Sequence, residues 1–456
     1  MFMNLNGILL TLVLLMTSSF AISQTNCVTQ LTDLNYIMKS KQQGLLRFEK
    51  NKPTTEFAYQ TTPAYSDYLN FAYQSILHAN PRASMPCPIQ TETYQLLVKQ
   101  QQRPSTPNIV DLIAPFELRQ NNTKKAVLLI HGLTDSPFTF HDLAKVYFEQ
   151  GYNVRTLLLP GHGTAADALS SVTAKQWQQA VDYAITRTSQ DFEQVILGGY
   201  STGAALLLNS LTLNPINTRI TALMLFSPAT EPHNKNGWLA KWIDRIPFVN
   251  WIDKDADIDF AKYESFPFNA AAAADDAMSN IALHKLTQRA LPNLPIFSVM
   301  SGVDTTIDTR ASLQLLSTLH DVTVRPANRL DTLIYYGDKK IMNSDFPTDY
   351  TVINPQCQNA SCKHIHGISH IAVVNSPNNP HYGAQAHYRN CGSYLDDDAL
   401  YSSCKTTNEP NIGERTAENI ARFPTFQRLT YNPYFDEQAG YIKRFIEQVE
   451  NLQGKQ

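Results

Sequence analysis

From Lys125 onward the chain alternates short apolar runs with longer stretches of mixed character. Ala126-Val127-Leu128-Leu129-Ile130 is apolar without interruption and ends at His131-Gly132. A run with no polar alternation suits a strand covered on both faces. Residues Thr139 to Gln150 then predict a helix that stops at Gly151. Tyr152 to Leu159 predicts a second strand, closed by Pro160-Gly161-His162-Gly163, and Ala174 to Thr188 a second helix. Val195-Ile196-Leu197 reads as a strand that breaks at Gly198-Gly199 and runs into a helix from Ala204. Two more apolar strands follow, Ile220 to Phe226 and Leu294 to Met300, the latter ending at Ser301-Gly302-Val303-Asp304. Strand, helix and strand at this spacing predict right-handed βαβ units and a parallel sheet. The unusual turns all fall at the carboxyl ends of the strands, where such sheets carry their active groups.

The remaining segments break this rhythm. Residues 1–23 read as a secretory signal: Ile8 to Met16 is an apolar core too short to span a bilayer, and Ala21 and Ser23 suit a cut before Gln24. The only charge ahead of the core is the terminal amine, so an uncleaved anchor is the alternative. Residues 24–120 form an N-terminal extension with helical stretches such as Tyr65 to His78, and the polar stretch Gln90 to Pro107 reads as a connector. About 65 residues separate Ser227 from Leu294, too many for one crossover helix. This predicts a cap insertion over about 229–293, with aromatic residues of Trp238 to Trp251 either lining an acyl pocket or packing the cap down. After a helix at Thr309 to Leu319 and a strand at Leu333 to Tyr336, a polar insertion spans about 338–365. A helix over Asp436 to Leu452 closes the chain.

Composition narrows the function classes. The chain has 456 residues, 17% of them charged, and a net charge of -3 with no basic patch, which argues against nucleic acid. The cap lacks the basic face of a membrane-surface helix, so peripheral membrane association is the weaker option. Six cysteines behind an export signal predict disulfides. Sequence proximity favours Cys357 with Cys362 and Cys391 with Cys404, leaving Cys27 with Cys87. The rival reading is a metal site from Cys357, Cys362, His364 and His366, although that spacing matches no common zinc pattern.

The chemistry centres on Gly199-Tyr200-Ser201-Thr202-Gly203. A serine between small residues, on the turn from strand to helix, is exposed at the top of the sheet, and the next amide points toward any oxyanion formed there. Roughly 0.1 chance matches to the five-residue pattern are expected in a chain of this length, so the flanking strand and helix carry the inference. A serine hydroxyl needs a base, and the base needs a group that fixes its tautomer. Asp304 and Asp308 are the candidate acids, Asp308 being better placed as a helix cap. His364, His366, His370, His381 and His387 are the candidate bases. His370 follows Gly367-Ile368-Ser369 and leads into an apolar run, so it stands where a loop meets a packed element. His364 and His366 alternate as in a strand, and His131 and His162 read as structural residues of their turns.

The set Leu129-Ile130-His131-Gly132-Leu133-Thr134-Asp135, Leu158-Leu159-Pro160-Gly161-His162-Gly163, Gly199-Tyr200-Ser201-Thr202-Gly203, Asp304-Thr305-Thr306-Ile307 and Ser369-His370 resembles the α/β-hydrolase superfamily. Its nearest group is the bacterial carboxylesterases and monoacylglycerol lipases, and Lys262 to Asn269 resembles a phrase from exported or membrane-associated hydrolases of that group. The resemblance covers about residues 120–450 and leaves the N-terminal extension unmatched. It implies a mostly parallel central sheet flanked by helices over 121–456, with the cap inserted. It further implies that Ser201, Asp304 and His370 form a triad, in that chain order, with the amides of Leu133 and Thr202 as the oxyanion hole. The acid-to-histidine interval is lengthened by the insertion, and a serine precedes the histidine where glycine is common. The expectation is an exported serine hydrolase of small-molecule or lipid esters that needs no cofactor. An amidase, peptidase or thioesterase with the same triad is the alternative, and a non-catalytic lipid-binding or envelope protein on this scaffold is the third. The sequence leaves the oligomeric state open.

Overall fold

In the computed structural model the continuous apolar runs form the middle of an eight-stranded sheet. The structure describes residues 25–43, 56–214, 217–235, 250–281, 294–322, 330–342, 346–356, 362–408 and 410–454. Its strands are β1 (Glu117–Leu118), β2 (Lys125–Ile130), β3 (Asn153–Leu157), β4 (Gln194–Tyr200), β5 (Ile220–Phe226), β6 (Trp251–Asp253), β7 (Phe266–Pro267), β8 (Ile296–Ser301), β9 (Thr332–Tyr336), β10 (Thr351–Ile353), β11 (Ile365–His366), β12 (Asn411–Gly413) and β13 (Phe426–Arg428). The main sheet runs β1-β3-β2-β4-β5-β8-β9-β10. Every neighbouring pair in it is parallel except β1 with β3. The chain leaves β2 to one side for β3 and to the other for β4. The carboxyl ends of β2 and β4 therefore flank a topological switch point, where open α/β sheets form their ligand crevice.

Period-two burial explains the unbroken apolar runs. Leu128 and Ile130 of β2, with Leu197 of β4 and Leu225 of β5, face one core, together with helices Ala174–Asp191 and Thr202–Leu213. Val127, Leu129, Ile196 and Met224 face the other, against helices His141–Glu149 and Phe435–Gln453. Each fully buried aliphatic side chain contributes about 1.5–3 kcal/mol relative to exposure. Helix Ala174–Asp191 starts at a reciprocal cap between Thr173 and Gln176.

The N-terminal region packs against the first of these cores. The Tyr65 hydroxyl donates to the Thr156 carbonyl at 2.6 Å and that of Tyr68 to the Leu158 carbonyl at 3.0 Å, so helix Tyr65–Ala79 lies over the end of β3. The stretch read as a connector, Gln90 to Pro107, contains helix Glu92–Lys99. Thr91 caps it, and Tyr94 and Leu97, three apart, are buried. Two apolar residues in so polar a stretch leave a weak periodic signal. Cys27–Cys87 and Cys391–Cys404 are bonded as proximity suggests. Cys357 lies outside the described residues; Cys362 is itself disulfide-bonded, which removes it as a metal ligand.

Residues 1–23, read as a signal, and Trp238 and Trp242 of the cap also lie outside the described residues. Among the described residues no helix is long and apolar enough to cross a membrane. The described part of the cap holds the antiparallel pair β6–β7 and helix Phe268–Ser279. A small parallel sheet, β11-β12-β13, begins at the end of the late insertion and takes its other two strands from the chain after His370.

Candidate active site

Parallel register places the two central turns side by side, with Ile130 of β2 opposite Gly199 of β4. Ser201 follows β4 with φ +52°, a left-handed conformation that costs a non-glycine residue about 1–3 kcal/mol. Its neighbours make the turn possible. A Cβ on Gly203 would lie 2.1 Å from the Ile130 carbonyl oxygen, and one on Gly199 would lie 2.6 Å from Ala204 Cα. The glycines of the pattern are therefore required by close backbone approach, as a nucleophile elbow demands.

The structure brings Ser201, His370 and Asp304 together from three places in the chain. His370 Nε2 is 3.0 Å from Ser201 Oγ, and His370 Nδ1 is 2.6 Å from Asp304 Oδ2. All three are buried. An ionised carboxylate only accepts, so Nδ1 carries the proton and Nε2 is left to accept from the serine hydroxyl. Asp304 Oδ1 accepts the amides of Thr306 at 2.7 Å and Ile307 at 2.9 Å, which leaves Oδ2 for the histidine. Asp308 caps helix Thr309–Val322 through the amides of Arg310 and Ala311, and pairs with Lys235 at 2.7 Å. Of the other histidines, His366 Nε2 lies 2.9 Å from Asn411 Oδ1 between neighbouring strands, and His381 Nε2 lies 2.8 Å from Asp259 Oδ1 in a separate buried pair.

The turn after β2 lies against the serine. A Cβ on Gly132 would sit 3.1 Å from Ser201 Cβ and 3.0 Å from Asp135 Oδ2. The Thr202 amide is among the first of its helix, with no intrahelical acceptor, and Leu133 follows Gly132 in the facing turn. Two neutral histidines hold this turn. His131 Nδ1 lies 2.7 Å from the Gly132 carbonyl, and Nε2 accepts the Leu159 amide at 3.0 Å. His162 Nε2 accepts the Thr134 amide at 3.1 Å. Burial lowers both pKa values, that of His162 to about 4. Burial lifts Asp135 to about 6, against the pull of Lys262. The cap closes over the same turn: the Tyr263 amide donates to the Thr134 carbonyl at 2.9 Å, and its hydroxyl donates to the Gly161 carbonyl at 3.0 Å.

Sequence reasoning missed the support behind His370. The His370 amide donates to Glu414 Oε2 at 2.9 Å, and Glu414 is paired with Arg428 at 2.9 Å. It also missed the buried polar strut between the cap and the late loop, in which Asp259 binds His381 and the Tyr382 hydroxyl, and Glu264 accepts from the Tyr388 hydroxyl. The acidic spacing of Asp255, Asp257 and Asp259 is visible in the sequence; Asp257 accepts the nearby amides of Glu264 and Ser265, whereas the His381 and Tyr382 partners of Asp259 lie more than 100 residues away.

The profile of a hydrolase family described as serine aminopeptidase, S33, matches residues 121–254. A thermostable monoacylglycerol lipase of Bacillus sp. (strain H-257) is 32% identical over 87 residues, which make up 19% of this chain and 35% of that lipase. Among solved structures, a Paleococcus ferrophilus monoacylglycerol lipase covers 53% of this chain and 88% of its own, with 15% identity and a TM-score of 0.38. A soluble variant of Saccharomyces cerevisiae monoglyceride lipase covers 53% and 81%, with 14% identity and a TM-score of 0.39. The chain has the α/β-hydrolase fold and resembles, in the segment that carries its first strands and the Gly199-to-Gly203 turn, hydrolases of the lipase and esterase kind.

Proposed function

We propose that the protein is an exported serine hydrolase that cleaves carboxylic esters through an acyl-enzyme. The observation that carries this reading is the hydrogen-bonded path from Ser201 through His370 to Asp304, at 3.0 and 2.6 Å, beside the switch point of the sheet. Ser201 Oγ attacks the ester carbonyl while His370 Nε2 takes its proton. Asp304 holds the ring and stabilises its charged form. The oxyanion is received by the amides of Leu133 and Thr202, a contribution of about 3 kcal/mol per donor in comparable sites. His370 returns the proton to the leaving alcohol. Water, deprotonated by His370, then attacks the acyl-enzyme and releases the acid and the free serine. Disulfides persist in oxidising compartments, which supports export.

The test is hydrolysis of p-nitrophenyl esters from acetyl to palmitoyl by the protein and by Ser201→Ala. Turnover should fall by at least about 10⁴-fold in the variant, and the best chain length measures the acyl pocket. Undiminished turnover in the variant would refute the assignment. The family description as an aminopeptidase favours a second reading, amide cleavage by the same residues. A matched ester and aminoacyl-amide pair separates the two.

A further inference from the structure

His370 reaches Asp304 only after an interval of 66 residues, and the intervening chain includes a polar insertion. β11 lies at the end of that interval, and β12 and β13, which follow His370 in the chain, pair beside it in the small sheet β11-β12-β13. Glu414 follows β12 and is fully buried; Arg428 ends β13, with its side chain 9% exposed. The pair is bidentate: Arg428 Nε to Glu414 Oε1 and Arg428 Nη2 to Glu414 Oε2, both at 2.9 Å. Each partner then reaches a different arm of the site. Glu414 Oε2 accepts the His370 amide at 2.9 Å. Arg428 Nη2 donates to Thr306 Oγ1 at 2.7 Å, and the Thr306 amide donates to Asp304 Oδ1 at 2.7 Å. One connected path therefore runs from the His370 backbone through the ion pair to the Asp304 carboxylate.

A buried ion pair is weak grounds for stability, because desolvation offsets most of its attraction. Here burial raises the Glu414 carboxyl, and the Arg428 charge and hydrogen bonds outweigh it and hold it at about 2, so the pair stays ionised at neutral and mildly acid pH. What the pair adds is direction. A guanidinium can bond a carboxylate with two nitrogens and still offer a donor to a third group, which an ammonium cannot do in the same geometry. With its other oxygen bound by turn amides, Asp304 aims Oδ2 at His370 only as well as its turn is oriented.

We propose that Glu414 and Arg428 are positioning residues for the hydrolytic site, locking the histidine loop to the acid turn so that His370 Nδ1 stays on Asp304 and Nε2 on Ser201. The proposal rests on the serine-hydrolase reading. A fluorophosphonate probe tests it, because the labelling rate reports the activation of Ser201 while the labelling amplitude reports how much protein is folded. Two variants are compared with the wild type, Glu414→Gln and Arg428→Lys, the second keeping the charge and so the more certain to fold. Both should label about 10–100-fold more slowly at nearly full amplitude, with kcat on p-nitrophenyl butyrate reduced in parallel and KM changed by less than about 3-fold, the signature of misplaced groups. Wild-type rate constants in both variants, or a fall in amplitude alone, would overturn the positioning role. Wild-type protein that neither labels at Ser201 nor turns over esters would instead overturn the reading beneath it.

Discussion

His162 offers a quantitative test of how the turn after β2, the proposed oxyanion turn, is held. Its ring is 1% exposed, accepts the Thr134 amide at Nε2, and turns Nδ1 toward the Pro160 carbonyl at 3.2 Å. A neutral ring satisfies both contacts, whereas a protonated one sets a donor against a donor. Burial carries its pKa down from 6.5 to about 4. The unfolded chain therefore binds more protons than the folded one in that window. The stabilising contribution is complete above pH 6.5 and is lost as pH falls toward 4. A shift of this size corresponds to about 3 kcal/mol in total, of which about 2 kcal/mol is gone by pH 5.

The whole-protein pH profile cannot isolate this effect, because Asp135 and Asp142 act in the opposite sense. Burial lifts both carboxyls to about 6, so each gains stability as acid protonates it. The difference between wild type and His162→Gln does isolate it. Glutamine keeps an acceptor for the Thr134 amide and does not titrate. At pH 7 the variant should be about 1 kcal/mol less stable, the ordinary cost of a poorer hydrogen bond. By pH 5 the order should reverse, as the wild type loses its 2 kcal/mol. Urea unfolding at pH 7, 6 and 5 measures the difference, and a carbon-13 titration of the histidine rings follows the group itself. A constant difference from pH 7 to 5, or a His162 ring that titrates near 6.5, would refute the reasoning.

Three further outcomes follow from the site. Asp304→Asn should lower kcat by about 10⁴-fold, as in other triads whose acid becomes an amide, because the histidine is then held in the wrong tautomer. Asp308→Ala should cost about 1 kcal/mol of stability through the lost helix cap and leave most of the turnover, so ester kinetics on the two variants separate the acid from its neighbour. Gly203→Ala places a Cβ 2.1 Å from the Ile130 carbonyl oxygen in the first turn of helix Thr202–Leu213, so it should abolish phosphonate labelling.

The parts of the molecule that could be read from the sequence are those whose physics is local. The sheet announces itself because β2, β4 and β5 each bury both faces, and a strand covered on both sides must be apolar throughout. The elbow announces itself because close backbone approach admits only glycine at Gly199 and Gly203. Asp304 and Asp308 could be told apart because a helix start has its own local grammar. Helix Glu92–Lys99 escaped because its two buried apolar residues, Tyr94 and Leu97, are too few to establish a period.

The ion pair behind His370 escaped for a different reason. Glu414 and Arg428 stand fourteen residues apart, with nothing nearby to mark either as buried. Their significance lies in the His370 amide and the Thr306 hydroxyl, 44 and 122 residues away. A hydrophobic residue needs only an apolar surrounding, which a periodic pattern supplies. A buried charge needs a particular partner, and partner choice is decided by tertiary placement. The same argument explains why a 66-residue interval between acid and histidine is compatible with a short Nδ1–Oδ2 contact. Length between the two groups carries little penalty once an independent set of bonds refixes the ends, since loop-closure entropy grows only logarithmically with length. In this chain that set is the bidentate pair on the small sheet. The insertion before His370 is thus tolerated because the chain after His370 supplies the bracing, and the spacing of Asp304 and His370 that looks irregular in the sequence closes to a direct contact where the chain is folded.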